Sequence, residues 1–236
     1  MPVPTRDALS PERLNAINRL TVVARLLSSA VHDARNSMQI ITGHAELFAE
    51  SAADPDKARE RSRSILTHAD RATQRLQGLV AMGQEAEAAP GRFEMRALAE
   101  EVFGLRKSSF GRARIKVTVE PATGEFWVKA VRPSIQRAAA NLMLNAERAV
   151  AGRPGAEIQF RVSEQGGRVR LIVRDNGPGV EADRVQGLFE PFAPGNGPGI
   201  GLHVSRWLVE RTGGTLSLGA NSESGAEFVI ELPADR

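Results

Sequence analysis

The sequence predicts an α+β protein in two parts, an N-terminal helical hairpin and a C-terminal α/β sandwich. Three observations predict it. Ten apolar residues recur at steps of three and four from Ile17 to Phe48. The composition then changes at the short linker "GQEAEAAPGR", Gly83 to Arg92. Beyond it, strand-like runs pair across short turns. The two parts are expected at residues 1–86 and 92–236.

The first helix carries Ile17, Leu20, Ala24, Leu27, Val31, Ala34, Met38, Ile41, Ala45 and Phe48 as a heptad seam. Asp54-Pro55 ends this helix and opens a second, whose apolar set is Ala58, Ile65, Ala69, Ala72, Leu76 and Leu79. Two helices cannot enclose a core by themselves, so a symmetric dimer making a four-helix bundle is the economical solution. In the second part, "ARIKVTVE" and "EFWVKA" read as strands, and "PSIQRAAANLMLNAERAV" reads as a helix opened by Pro and Ser. "AEIQFRVSE" and "RVRLIVRDN" flank Gln165-Gly166-Gly167 as one hairpin. "TLSLGA" and "AEFVIELP" make another across a Ser- and Gly-rich turn. An antiparallel-leaning sheet follows.

Composition narrows the function classes. There is no cysteine, so disulfide frameworks and thiolate metal sites are excluded and the cytoplasm is the expected compartment. A net charge of +3 comes from basic and acidic residues interleaved along the chain, with no basic stripe for nucleic acid. The same interleaving argues against DNA binding by the Arg-rich second helix. The apolar run "LTVVARLLSSAV" is interrupted by Arg25 and too short to span a bilayer, and no secretory leader follows Met1.

The chemistry starts at "AVHDARNSMQ". With Val31 and Ala34 in the seam, His32 points out of the bundle, within reach of solvent or another domain. A carboxylate beside an imidazole fixes its tautomer and raises the nucleophilicity of the other ring nitrogen, which is what Asp33 offers His32. Further on, Asn141 and Asn145 lie four apart on one helix face, where an amide oxygen can ligate Mg²⁺, and Arg148 follows one turn later. "Asp175-Asn-Gly177-Pro-Gly179" closes a strand. "Phe189-Glu-Pro-Phe192" precedes "Gly197-Pro-Gly199-Ile-Gly201-Leu202", a glycine loop entering a helix N-terminus, where free amides favour anions.

His32-Asp33-Ala34-Arg35-Asn36 resembles the phosphoacceptor box of two-component sensor histidine kinases, with Ser37 and Met38 in place of the usual Pro-Leu. The downstream runs resemble, in order, that family's N, G1, F and G2 boxes, so the resemblance covers the chain from about Leu20 to Pro233. It implies a dimerisation and phosphotransfer hairpin followed by a Bergerat-type ATP-binding domain. It implies ATP and Mg²⁺ as cofactors, with catalytic roles for His32, Asp33 and Asn36 and metal binding by Asn145. It also implies nucleotide contacts from Asn141, Asn145, Arg148, Asp175, Gly177, Gly179, Phe189, Gly197, Gly199, Gly201 and Leu202. The partners implied are a second copy of the chain and a response-regulator receiver domain; the stimulus comes either through a separate sensor protein or through a longer chain of which this one is a fragment. Asn36 is the residue expected to orient water for the reverse, dephosphorylating reaction.

The related gyrase and chaperone ATPases activate water with a Glu four residues before the metal-binding Asn, and this chain has Asn141 there. Two further alternatives are a histidine phosphotransferase or scaffold with a degenerate ATP domain, and an ATPase of that related class. The segment after Phe192, Ala-Pro-Gly-Asn, is a short lid without Lys or Arg, for which Arg148 and Arg206 are candidate substitutes. Val131 stands where the N-box helix of the family begins with Asp, and the remaining histidines carry no expected chemistry: His44 and His68 read as bland, His44 on the surface or the flank of the seam, and His203 as packing or hydrogen-bonding at the start of the last helix.

Overall fold

The structure, a computed structural model, describes residues 9–49, 54–83, 89–121, 123–193 and 199–235. Helix α1, Pro11–Ala49, runs unbroken past His32, as expected with no proline after it. Helix α2, Pro55–Gly83, starts where Asp54 accepts from the Lys57 amide at 3.2 Å and Pro55 occupies the first turn. The two helices pack along their length.

Strand β1, Gly91–Glu94, leads directly into α3, Met95–Gly104, whose N-cap is the Glu94 carboxylate accepting from the Ala97 amide at 2.6 Å. Helix α4, Lys107–Ala113, ends at Arg114 in the left-handed region (φ 54°). Strands β2 (Lys116–Val119) and β3 (Trp127–Ala130) follow. β3 is not part of the main sheet but pairs with β1 in a separate antiparallel ribbon. Helix α5, Arg132–Val150, begins at Val131 with no side-chain cap.

The main sheet has the order β2-β4-β5-β7-β6, with β4 Glu157–Gln165, β5 Arg168–Asp175, β6 Thr215–Ser222 and β7 Gly225–Pro233. All pairings are antiparallel except β2 with β4. Both expected hairpins are present, and the first turns on Gly166 and Gly167 at φ 60° and 74°, a two-residue connection that side chains with a Cβ resist. Between β5 and β6 lie the short α6, Ala182–Val185, and α7, Gly201–Glu210.

Helix α5 is buried on nearly every side. Its run Ala138, Ala139 and Ala140 is fully covered, and these small side chains let the sheet and α7 approach its axis closely. Leu142, Met143 and Leu144 complete the core against Ile158, Phe160, Leu171 and Ile230. The rest of the helix face is therefore left to its polar residues, which is where the candidate site lies.

Helix α1 contributes two stripes. Leu14, Asn18, Val22, Leu26 and Ala30 are buried, Leu14 against Ile200, Val204 and Leu208 of the α7 region and Val22, Leu26 and Ala30 in the main core. Leu14, Val22 and Leu26 each contribute roughly 1.5–3 kcal/mol by leaving water. The heptad seam lies on a different face. Ile17 (42%), Leu20 (68%), Leu27 (46%), Val31 (54%) and Met38 (59%) are exposed on the single chain.

Candidate active site

A cleft of about 300 Å³ opens between α5, the end of β5, the start of α7 and the N-terminal half of α1. Asn141, Asn145 and Arg148 line it from α5, Asp175 and Gly179 from the segment closing β5, and Gly199, Gly201 and Leu202 from the start of α7. Eight of the sequence-derived nucleotide residues thus share one cavity. Gly197 falls outside the described residues. Gly177 and Phe189 are not among the cleft's lining residues; Gly177 donates to Asp175, and Phe189 contacts His203 and Arg206.

Asp175 sits at its floor, 4% exposed, accepting from the Gly177 amide at 2.8 Å. Burial pushes its carboxyl above the ordinary range, against the pull of the Gly177 and Ala226 amides. A Cβ on Gly177 would lie 2.7 Å from the Asp175 carboxylate and 2.9 Å from the Ala149 methyl, so the bond to Asp175 requires glycine. Gly179 and Gly199 adopt φ 73° and 71°, and a Cβ on Gly199 would meet the Ala193 carbonyl at 2.6 Å.

The two asparagines of α5 differ. The Asn141 amide is tied up: it donates to Asn18 Oδ1 at 3.0 Å and to Ser205 Oγ at 3.0 Å, and it accepts from Asn18 Nδ2 at 3.3 Å. Asn145, one turn on, faces the cleft with no hydrogen-bond partner among the described residues. An unengaged amide oxygen beside an anion-favouring loop fits the single protein ligand that Mg²⁺ takes when phosphates and waters complete its shell.

Arg148 is desolvated, which with the neighbouring Arg25 cation lowers its guanidinium pKa to about 10; Glu147 opposes this. Arg25 is itself lowered, first by burial and then by Arg106, against Glu147. Two half-buried cations beside one cleft favour an anionic occupant. Arg206 does not serve as a substitute. Its guanidinium stacks 3.6 Å over the Phe189 ring and its Nε donates to the Leu216 carbonyl at 3.3 Å. His203 donates from Nδ1 to the Phe189 carbonyl at 3.0 Å, a structural role as expected.

Four polar residues of the cleft were missed by sequence reasoning: Asn18, Thr21 and Arg25 of α1, and Arg184 at α6. Arg184 has no motif around it. Thr21 and Arg25 had a signal, because Leu14, Asn18, Val22, Leu26 and Ala30 form a second stripe at steps of four beside the heptad seam.

His32 lies further along α1, with its side chain 48% exposed, while Asp33 is 1% exposed. His32 Nδ1 is 3.4 Å from Asp33 Oδ1 and 3.3 Å from Asn36 Nδ2, so the three residues of the first motif do converge on one ring nitrogen. They do not meet the cleft. Thr21 and His32 are 11 residues apart on one helix, a separation of about 16 Å at 1.5 Å per residue.

A nucleotide-sized cleft on an α/β sandwich, packed against a helical hairpin that presents an exposed histidine, defines the class: a sandwich domain with a cleft beside a helical hairpin. Residues 130–236 match the family described as histidine kinase-, DNA gyrase B-, and HSP90-like ATPase. Sensor histidine kinase ZraS of Escherichia coli O157:H7 is 26% identical over 231 residues, covering 96% of this chain and 50% of ZraS. Sensory histidine kinase/phosphatase NtrB of Rhizobium leguminosarum bv. phaseoli is 29% identical over 231 residues, 91% of this chain and 59% of NtrB. The solved catalytic domain of histidine kinase ThkA is 26% identical with a TM-score of 0.58, over 62% of this chain and 99% of that domain. ThkA in complex with the response regulator protein TrrA shares the fold (TM-score 0.55, 22% identity) over 93% of this chain and 64% of that one. Residues 130–236 therefore belong to that ATPase family, and the chain as a whole is a relative of the sensor histidine kinases. It spans about half the length of the first curated relatives it matches.

Proposed function

We propose that the chain is the phosphotransfer and catalytic portion of a two-component histidine kinase, which moves the γ-phosphoryl group of ATP to His32 and from there to an aspartate of a response-regulator receiver domain. The observation that carries this reading is the pairing of a nucleotide-type cleft with an outward-facing histidine whose Nδ1 is flanked by a buried carboxylate. A water-activating Glu is absent from the Asn141 position, which weighs against the hydrolase alternative.

Asp175 accepts from the adenine amino group, and the amides near Gly199 and Gly201 cradle phosphate at the start of α7. Arg148 and Arg25 add positive charge. Asn145 holds Mg²⁺, which supplies neutralisation of phosphate charge when bound. With Nδ1 protonated and held by Asp33, the Nε2 lone pair attacks the γ-phosphorus; the bond to the bridging oxygen breaks and ADP leaves. The imidazolium charge formed is stabilised by Asp33, which accepts the Nδ1 proton. Because about 16 Å of α1 separates cleft and histidine, the catalytic domain, residues 92–236, must travel along the hairpin, residues 1–86, before transfer.

The exposed seam from Ile17 to Met38 supports a homodimer, since contiguous apolar stripes of this size are normally covered. Asn36 orients water for dephosphorylation of the regulator, an activity that the name of NtrB also carries. The reading places this activity in the cytoplasm. Incubation with γ-labelled ATP and Mg²⁺ tests the reading: acid-labile, alkali-stable label that disappears in His32→Ala and Asn145→Ala is expected. Nucleotide binding without label would replace it with a docking scaffold.

A further inference from the structure

The reach of the catalytic domain to His32 is made by α4, and its chemistry is unexpected for an activated nucleophile. The Arg112 guanidinium, on the last turn of α4, places Nη1 3.2 Å from His32 Nδ1. Arg112 Nη2 donates to Ser109 Oγ at 3.1 Å, and Ser109 donates to Ser29 Oγ at 2.9 Å. Both serines are buried, and Ser29 lies one turn before His32 on the same helix. The guanidinium is thus anchored to α1 through α4 and aimed at the ring.

A guanidinium has donors only and is not deprotonated in proteins, and the Asn36 amide nitrogen at 3.3 Å is likewise a donor. Two donors converging on Nδ1 require that it present its lone pair, so the ring proton resides on Nε2. Such a ring has no free lone pair: Nδ1 is capped and Nε2 is protonated. Asp33 Oδ1, at 3.4 Å, is the most distant of the three neighbours and has no Nδ1–H to accept.

We propose that Arg112 is a positioning residue that holds His32 in the non-nucleophilic Nε2–H tautomer while α4 is docked. The inference rests on His32 being the phosphoacceptor and deepens that reading. When α4 lifts, Nε2 gives its proton to water and Nδ1 takes one from water, with no net change of charge. Asp33 then captures Nδ1–H and leaves the Nε2 lone pair bare. Domain movement and nucleophile activation become one event. Phosphoryl transfer cannot occur from the docked posture, both because the cleft is too far and because the ring is in the wrong form.

The test uses the full chain labelled with ¹⁵N-histidine, nucleotide-free in alkaline buffer where imidazoles are neutral, with His32→Gln identifying the His32 signals among four histidines. Long-range ¹H–¹⁵N spectra should show protonated Nε2 in the wild type and a population of protonated Nδ1 in Arg112→Ala. Arg112→Lys, which keeps a donor, should stay closer to the wild type. Initial autophosphorylation of Arg112→Ala should rise about 3- to 10-fold, the factor that one net hydrogen bond is worth. Ser109→Ala, which removes the anchor and keeps the arginine, should move both readings the same way by less. A wild-type ring already protonated on Nδ1, a tautomer unchanged in Arg112→Ala, or a slower Arg112→Ala overturns the proposal. The spectra read the ring without any reaction, so label appearing on a residue other than His32 refutes His32 as the phosphoacceptor separately.

Discussion

The two halves of α1 are one helix by backbone and two different surfaces by side chain. From Leu14 to Ala30 the buried stripe belongs to the ATP domain: Leu14 packs on α7, Asn18 clasps Asn141, and Thr21 and Arg25 wall the cleft. From Val31 onward, Val31, Met38, Ile40, Leu47 and Phe48 are exposed, and the polar residues His32 and Asn36 stand at the boundary. The difference shows that a single helix register serves a partner domain with one stripe and leaves the heptad stripe beside it for another surface, with the chemistry placed where the buried apolar stripe ends.

Four substitutions sharpen this contrast. His32→Gln, at the boundary, should abolish acid-labile label while nucleotide affinity measured by calorimetry stays at the wild-type value. Next in size, Leu20→Glu with Leu27→Glu places charge in the exposed stripe, where burial of unpaired charge is costly. Dimer affinity measured by sedimentation should fall at least about 100-fold, with the helical circular dichroism of each chain retained.

Asp175→Asn probes the ATP side and should separate binding from stability. Nucleotide affinity should drop by about 10-fold or more, because an amide places a donor where adenine presents one. Stability should move the other way. The folded-state pKa of Asp175 is raised, so stability is lost as pH rises from the unfolded value through the folded one, and more of the cost is present at neutral pH than in acid. The neutral asparagine avoids it and can still accept from Gly177, so the nucleotide-free variant should melt no lower than wild type at neutral pH, and the advantage should vanish in acid. The smallest effect is a coupling: Asn18→Ala and Asn141→Ala, alone and together, should give an interaction energy of about 0.5–1.5 kcal/mol by denaturant titration, since they share two hydrogen bonds.

What was legible in the sequence was whatever repeats locally. The hairpin turn at Gly166-Gly167, the alternation of β4 and β5, and the period of α1 are properties of neighbouring residues, and all appear where expected. The segment from Met95 to Ala113 was not read, because α3 and α4 are short and their buried residues, Leu98, Ala99, Val102 and Phe110, complete a core formed by distant elements. That omission hid Arg112, whose meaning exists only in three dimensions. The cleft residues of α5 were visible through their spacing. Arg184 was not, since nothing in its neighbourhood distinguishes it from a solvated surface arginine.

The walls that α1 lends to the cleft have a pharmacological consequence. A compound reaching from Asp175 past Arg148 to Thr21 and Arg25 would touch surfaces that coexist only while the two parts of the chain are docked. Its affinity would therefore report posture as well as shape, and by linkage it would trap the assembly it recognises. Selectivity against other members of this broad ATPase family would then come from the borrowed helix, whose sequence owes nothing to the shared glycine boxes.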